Sequence, residues 1–502
     1  MGTRTSRPDH TQMARPPWPV LALGLGALLA TTAFRVRLGQ GLPLWLDETW
    51  TGMIATQPDW TSFWREAWLD CNPPFYYAVM AVWTSFFGAS DFALRLPSLI
   101  FMALAALLPL LVQVPALSHR ARLIWALLLC LWAPGMEIAL DARGYGLLFF
   151  LSVAQAIAFL HLMATPTRPA AWRWALLASL AGLTHYHALL IGGLQGLALL
   201  AWHKKTALRL WPAALAFVPA FGWLAIHAPR LADYARPDVA WYEPLTASLA
   251  GNFIRYAFGF ANWIWVGGAV ILIFAALFAG RGSALARGER IACITLIICG
   301  LLALGIELLL GSMRPMLTDR YLVPLVPALL LGLTCAVRAD AAWGTLRGFG
   351  LVMLYFLSID AAALRTQLEA KTSYGFAKAS AHVAQSGATH LVFSWDHPSS
   401  PILAPASLAK LGSFFLERAG RPLPTKIVQL RVGEDGNARL AAIAGPDGAV
   451  IWIYNRARDS AARKRPPRLD AWPTRSCRWY RGAWIGTLAC GPVRTISPPI
   501  AK

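Results

Sequence analysis

Charge is scarce in this chain. Asp, Glu, Lys and Arg make up 14% of its 502 residues, where a soluble domain carries about a quarter. Apolar residues fill the deficit at 57%, and the mean hydropathy is +0.49. That balance argues against a soluble multidomain protein. Nucleotide signatures are missing as well: there is no Walker, Rossmann or HExxH pattern and no clustered Cys/His spacing. Their absence disfavours an ATP-driven pump and a transferase fed by a cytosolic nucleotide sugar. No internal repeat is evident, and no DNA- or RNA-binding motif. The net charge of +20 is therefore no nucleic-acid footprint, and no nucleic-acid partner is expected. The cations are spread over loops and the C-terminal tail, where they suit membrane topology and anionic lipid headgroups.

What the first 360 residues do contain is a series of apolar stretches. Their length, about 20 residues, spans a hydrocarbon core of about 30 Å as a helix. We read eleven spans: 18–38, 93–114, 122–137, 146–164, 173–187, 188–202, 208–227, 263–280, 291–311, 320–338 and 345–363. Residues 1–17 are polar with Arg4, Arg7 and Arg15, and no small-residue cleavage site follows the first apolar run, so that run is expected to remain as the first helix. Residues 75–87 are apolar but short, which favours an interfacial or re-entrant helix. If they do not span, the alternate loops 118–122, 165–173, 203–209, 281–290 and 337–347 face the cytoplasm. These carry twelve Lys and Arg against two acids, Glu289 and Asp340, as the positive-inside rule requires. The N-terminus is then inside, and 39–92, 137–145, 228–262, 311–320 and the tail share the external side.

After residue 363 the apolar runs shorten to strand length at 390–395, 426–432 and 449–454, with helix-like stretches at 374–385 and 404–419. This alternation predicts a small external α/β domain over 364–502, behind a membrane-embedded domain over 1–363. Residues 456–475, rich in Arg, Lys and Pro, read as a loop. Cys130, Cys293, Cys299 and Cys335 lie in spans as buried apolar residues, and Cys71 has no evident mate. Cys477 and Cys490 flank a predicted two-stranded segment; they are a disulfide candidate in an oxidising compartment, or two free thiols.

The residues suited to chemistry collect on the external side. Asp47 and Glu48 are adjacent, a few residues past the first span. A carboxylate there can serve as general base towards a hydroxyl. Glu48 can tune its neighbour by like-charge repulsion or bind a divalent cation. The alternative is two loop acids capping the helix that follows. Asn72-Pro-Pro-Phe-Tyr-Tyr77 opens the short apolar segment, its prolines fitting a helix start. Arg95, Arg143 and Arg320 recur at outer helix ends, within Leu94-Arg-Leu-Pro-Ser98, Asp141-Ala-Arg-Gly-Tyr145 and Thr318-Asp-Arg-Tyr321. Snorkelling explains any one of them; arginine also suits phosphate, by charge and by its two-pronged hydrogen bond. Thr184-His-Tyr-His187 offers two imidazoles, with no acid close in sequence to complete a metal site. Arg230, Asp233, Tyr234, Arg236, Asp238 and Tyr242 can contact an acceptor or simply be solvated.

Taken in order, these motifs resemble the polyprenyl-phosphate-sugar-dependent glycosyltransferases of the GT-C superfamily. That superfamily includes protein O-mannosyltransferases and lipid A aminoarabinose transferases; the similarity is to the bacterial branch and covers roughly 18–340. The resemblance implies a glycosyltransferase (hexosyl or pentosyl) in the bacterial inner membrane, multi-pass, with its active site on the periplasmic face. Asp47 then corresponds to the catalytic base, with Glu48 beside it. Arg95, Arg143, Tyr145, His185, Arg320 and Tyr321 would bind the donor's phosphate and sugar. Two departures stand out: Asn72 replaces the family's usual His, and Asp141 an acid that is often Glu.

The implied reaction is an inverting single displacement. Asp47 deprotonates an acceptor hydroxyl, which attacks the anomeric carbon, and arginines stabilise the departing polyprenyl phosphate. No cofactor is required, no metal site is expected, and a divalent cation is compatible. The partners are the lipid-linked sugar, membrane lipids, and a glycan, lipid or protein of the envelope as acceptor. A transporter or flippase for a lipid-linked sugar is the alternative, although repeat symmetry and broken midplane helices are not evident. A non-catalytic scaffold would leave the ordered Asp/Arg/Tyr set unexplained.

Overall fold

The structure is a computed structural model. It describes residues 17–236, 242–260, 263–278, 287–337 and 344–372, then 377, 390–394, 405–418, 425–427, 450–455, 477–481 and 485–490. In chain order the helices are α1 (Trp18–Gly39), α2 (Leu46–Ala55), α3 (Trp60–Leu69), α4 (Phe75–Phe87), α5 (Asp91–Leu111), α6 (His119–Leu131) and α7 (Pro134–Ile138). Next come α8 (Tyr145–Ala164), α9 (Arg168–Thr184), α10 (Ala188–His203), α11 (Lys205–Arg209), α12 (Val218–Tyr234), α13 (Ala247–Phe258) and α14 (Trp263–Phe278). They are followed by α15 (Arg287–Met313), α16 (Val326–Ala336), α17 (Gly344–Leu357), α18 (Ala361–Thr372) and α19 (Pro405–Arg418). Two 3-10 segments, Trp211–Phe217 and Asp319–Leu325, lead into α12 and α16.

A helix lies at each of the eleven stretches read as spans, but their lengths differ from that reading. Among the described residues six helices are long and apolar enough to cross a membrane, or seven if Gly344–Leu357 and Ala361–Thr372 count as one broken span. The shortfall is geometric. At about 1.5 Å per residue, the 13 residues of α6 and the 16 of α10 fall short of a core of about 30 Å. The fifth predicted span also stops early: α9 ends at Thr184, and His185 to His187 form a break before α10.

Contacts group the chain into two units, and the grouping is not a single cut at 363. One unit is 1–38, 95–226 and 242–360; the other is 39–94, 227–241 and 361–502.

In the first unit α8 is the most enclosed of the long spans, packed against α9, α15 and α16. Aromatic and amide groups join the helices. Trp132 stacks on Phe149 with ring centres 5.3 Å apart. The Gln195 Oε1 accepts from Gln155 Nε2 at 2.8 Å and from Trp174 Nε1 at 2.7 Å. In hydrocarbon such side-chain bonds act as glue, because the polar groups have no water to turn to. Arg122, one of the loop cations, is buried; it donates to the Pro109 and Leu110 carbonyls at the end of α5. A cation there satisfies orphan carbonyls and complements the helix dipole.

In the second unit α2 packs on α4 and α19. Glu66, 3% exposed on α3, meets Lys410 of α19 at 2.8 Å. The C-terminal end of α12 clamps the end of α3. Arg230 and the Tyr234 hydroxyl donate to the Leu69 carbonyl, and His227 Nε2 lies 2.9 Å from the Trp68 carbonyl. Arg230 and Tyr234 are thus fastened to the end of α3. Five strands, β1 (His390–Ser394), β2 (Thr425–Ile427), β3 (Val450–Asn455), β4 (Cys477–Arg481) and β5 (Ile485–Cys490), form one sheet in the order β2-β1-β3-β5-β4. β1 runs parallel to β2 and β3, while β5 is antiparallel to β3 and β4. α19 lies against β1 and β2. The helix expected at 374–385 and the loop expected at 456–475 fall outside the described residues, apart from residue 377.

Candidate functional site

The two acids that follow α1 stand differently in the structure. α2 starts at Leu46, so both lie in its first turn, where negative charge complements the helix dipole. Glu48 is fully buried, and its Oε2 accepts the Trp45 backbone N–H at 3.0 Å. That is the N3 half of a capping box, so Glu48 serves the start of α2 whatever part it takes in the chemistry. Asp47 is half-buried. Further along, Asp70 Oδ1 accepts from the Asn72 N–H, the Asn72 amide and the Tyr77 hydroxyl, each at 2.9 Å. Asn72 thus serves the turn that leads into the double proline.

In the first unit the predicted donor-binding residues sit where helices begin or end. Arg95 lies near the start of α5, Arg143 just before α8, Tyr145 at its first position, His185 between α9 and α10, and Arg320 and Tyr321 in the 3-10 turn before α16. All but Arg320 are at least nine-tenths buried. Four of them come together around His185, the fifth of the group. Its ring centre is 4.6 Å from that of Tyr321 and 5.5 Å from that of Tyr145. The Arg320 guanidinium lies over the Tyr145 ring at 5.6 Å. Arg143 and Arg320 are close enough to act on the charge of His185. Tyr321 and Tyr242 share a hydroxyl–hydroxyl bond of 3.0 Å.

Sequence reasoning missed three residues here. Ser98 ends the Leu94–Ser98 motif, and its hydroxyl donates to the Asp141 carbonyl at 2.6 Å, with the Arg143 carbonyl at 3.4 Å. One motif thereby fixes the backbone of the next. Gly146 lets α8 approach: a Cβ there would stand 2.9 Å from the Ser98 Cα. Backbone cannot swing aside as a side chain can, so Gly146→Ala is expected to cost about 1–3 kcal/mol. A lower melting temperature in a thermal-shift assay checks this; an unchanged one removes the close approach as a constraint. Glu307 is the third, a buried acid of α15 whose Oε1 is 2.8 Å from His187 Nδ1. A lone acid in an apolar span was its available signal. Among the described residues no group of three or more His, Cys, Asp or Glu is arranged to hold a metal ion.

Two solved structures resemble the whole chain. ArnT from Cupriavidus metallidurans in the apo state superposes with a TM-score of 0.59 at 15% identity, covering 94% of this chain and 97% of the other. The chain has the ArnT fold. ArnT bound to undecaprenyl phosphate gives a TM-score of 0.55 at 14% identity over the same shares. The part not covered is 6% of the chain at most, far less than 364–502, so the ArnT likeness runs on into the tail, past the reach of the sequence motifs. No family model matches the sequence, and no curated protein matches it significantly.

Proposed function

We propose that the protein is an inner-membrane glycosyltransferase that moves a sugar from a polyprenyl phosphate to an acceptor hydroxyl on the periplasmic side. The carrying observation is the junction of the buried Arg143, His185, Tyr145 and Tyr321 with the half-buried Arg320 at four helix ends. Two guanidiniums near aromatic and imidazole rings, one of them over the Tyr145 ring, suit a phosphate joined to a sugar. ArnT, whose fold the chain shares, has been solved with undecaprenyl phosphate. In this reading Asp47 takes the proton of the acceptor hydroxyl, which displaces polyprenyl phosphate with inversion. Arg143 and Arg320, with Arg95, take up the charge of the leaving phosphate. The step requires no metal, and a divalent cation is compatible with it. The acceptor is a glycan, lipid or protein of the envelope, and the sugar a hexose or pentose.

The topology we propose with it has eleven crossings, in which α6 and α10, short as helices, reach across with their flanking residues; the N-terminus is inside, and the loop 39–92 and tail 364–502 are outside. The decisive experiment incubates the purified protein with a polyprenyl-phosphate sugar and envelope extract. Free polyprenyl phosphate is expected only when donor and acceptor are both present. Movement of the intact lipid between leaflets without release would instead identify a flippase.

An external tail also bears on its cysteines. The β4–β5 register opposes Cys477 to Cys490. Directly opposed residues have Cα atoms about 4.5–5.5 Å apart, within the range a disulfide bridges. We propose that they are bonded. Alkylation followed by intact mass should label both only after reduction; labelling without reductant refutes the bond.

A further inference from the structure

The arginines leave half of the junction without a task. Phosphate is served by the charges of Arg143 and Arg320. Next to them stand two imidazoles and two phenol rings. His185 is 6% exposed, and its Nδ1 has no hydrogen-bond partner among the described residues. A buried polar atom left unsatisfied is costly, and each instance in a folded protein calls for an explanation. His187 lies 5.3 Å from it between ring centres, and 4.6 Å from Tyr321. Its Nδ1 is engaged by Glu307 at 2.8 Å, and its side chain is 15% exposed. A carboxylate on one imidazole nitrogen fixes the ring and sets what the other nitrogen offers. Glu307 is itself buried within an apolar helix, where an acid without a task is rare. Hydrogen-bonding imidazole edges beside aromatic faces suit a ring with hydroxyls at its rim and C–H bonds on its face.

We propose that His185 and His187 form the sugar-recognising edge of the donor site, and that Glu307 is the positioning residue that orients His187 for it. The inference rests on the lipid-linked donor proposed above. His185 Nδ1 meets a sugar hydroxyl, His187 Nε2 a second one, and Tyr321 packs against the ring. Bare polyprenyl phosphate needs none of them.

Binding by the purified protein in nanodiscs separates the two halves. The probes are undecaprenyl phosphate and the same lipid carrying glucose, mannose or 4-amino-4-deoxyarabinose. Wild type is expected to prefer one sugar-bearing lipid over the bare phosphate. His185→Ala and His187→Ala should each weaken that lipid by about tenfold or more, the scale of one lost buried hydrogen bond, and leave undecaprenyl phosphate within about twofold. Glu307→Ala should match His187→Ala, while Glu307→Gln, which keeps an acceptor for Nδ1, should recover most of the affinity. His185→Asn guards against a variant that fails to fold and should bind better than His185→Ala. Equal losses on bare and sugar-bearing lipid, or losses on neither, overturn the proposal. So does a wild type that binds the bare phosphate and prefers no sugar. A wild type that binds none of the four lipids sinks the glycosyl-transfer reading itself, a distinct result.

Discussion

Asp47→Asn is expected to lower the rate of sugar transfer by about a thousandfold, with donor binding and membrane insertion intact. The size follows from the role: a positioned general base contributes about 10²–10⁴-fold, and an amide cannot take the proton. The structure makes the test clean. The helix that carries Asp47 is capped by its neighbour, through the bond from the Trp45 N–H to Glu48. Exchanging Asp47 for its isostere leaves that cap in place and removes a favourable charge from the first turn, worth about 0.3–1 kcal/mol. The converse pair completes the argument. Glu48→Gln keeps an acceptor for the cap and should retain most activity, whereas Glu48→Ala should lose about 1 kcal/mol of stability. Polyprenyl-phosphate release by purified variants reads the rates, and a thermal-shift assay reads the caps. Near-normal turnover in Asp47→Asn removes it as the base. A Glu48→Gln variant as dead as Asp47→Asn would restore Glu48 to the chemistry.

The sequence was most legible where a residue's job is local. Apolar runs announced the helices, because every backbone group in hydrocarbon must be satisfied within the segment. The arginines, Tyr145 and His185 stood out because they interrupt apolar sequence at helix ends, and four of those ends meet. Jobs set by distant partners were hidden. Glu307 acquires its meaning from His187, 120 positions away, and Arg230 from the Leu69 carbonyl, 161 positions away. Neither spacing leaves a pattern. The division between Asp47 and Glu48 was hidden for another reason. Which of two adjacent acids caps a helix depends on its first residue, and boundaries are what pattern reading locates worst. The early end of α9 is a case of the same kind: Thr184 and His185 are both compatible with an apolar run, and only the backbone shows where the helix stops.

Arg143→Ala is expected to reduce turnover by about 10²–10³-fold, mainly in kcat. An electrostatic stabiliser acts on charge that develops in the transition state, and removing one such donor from a preorganised site costs about that much. Arg143 meets the condition of preorganisation. It is 6% exposed. The Ser98 hydroxyl holds the carbonyls on either side of Ala142, so little reorganisation remains to be done when the bond breaks. Negative charge on the phosphate is larger after the sugar leaves than before, so the loss should appear in kcat more than in KM. Arg143→Lys restores charge without the two-pronged donor and should recover only part of the rate. Ser98→Ala leaves the guanidinium present but frees its backbone, and should produce a smaller loss of the same kind. A rise in KM at constant kcat would make Arg143 a binding residue alone, and unchanged kinetics would remove it from the site.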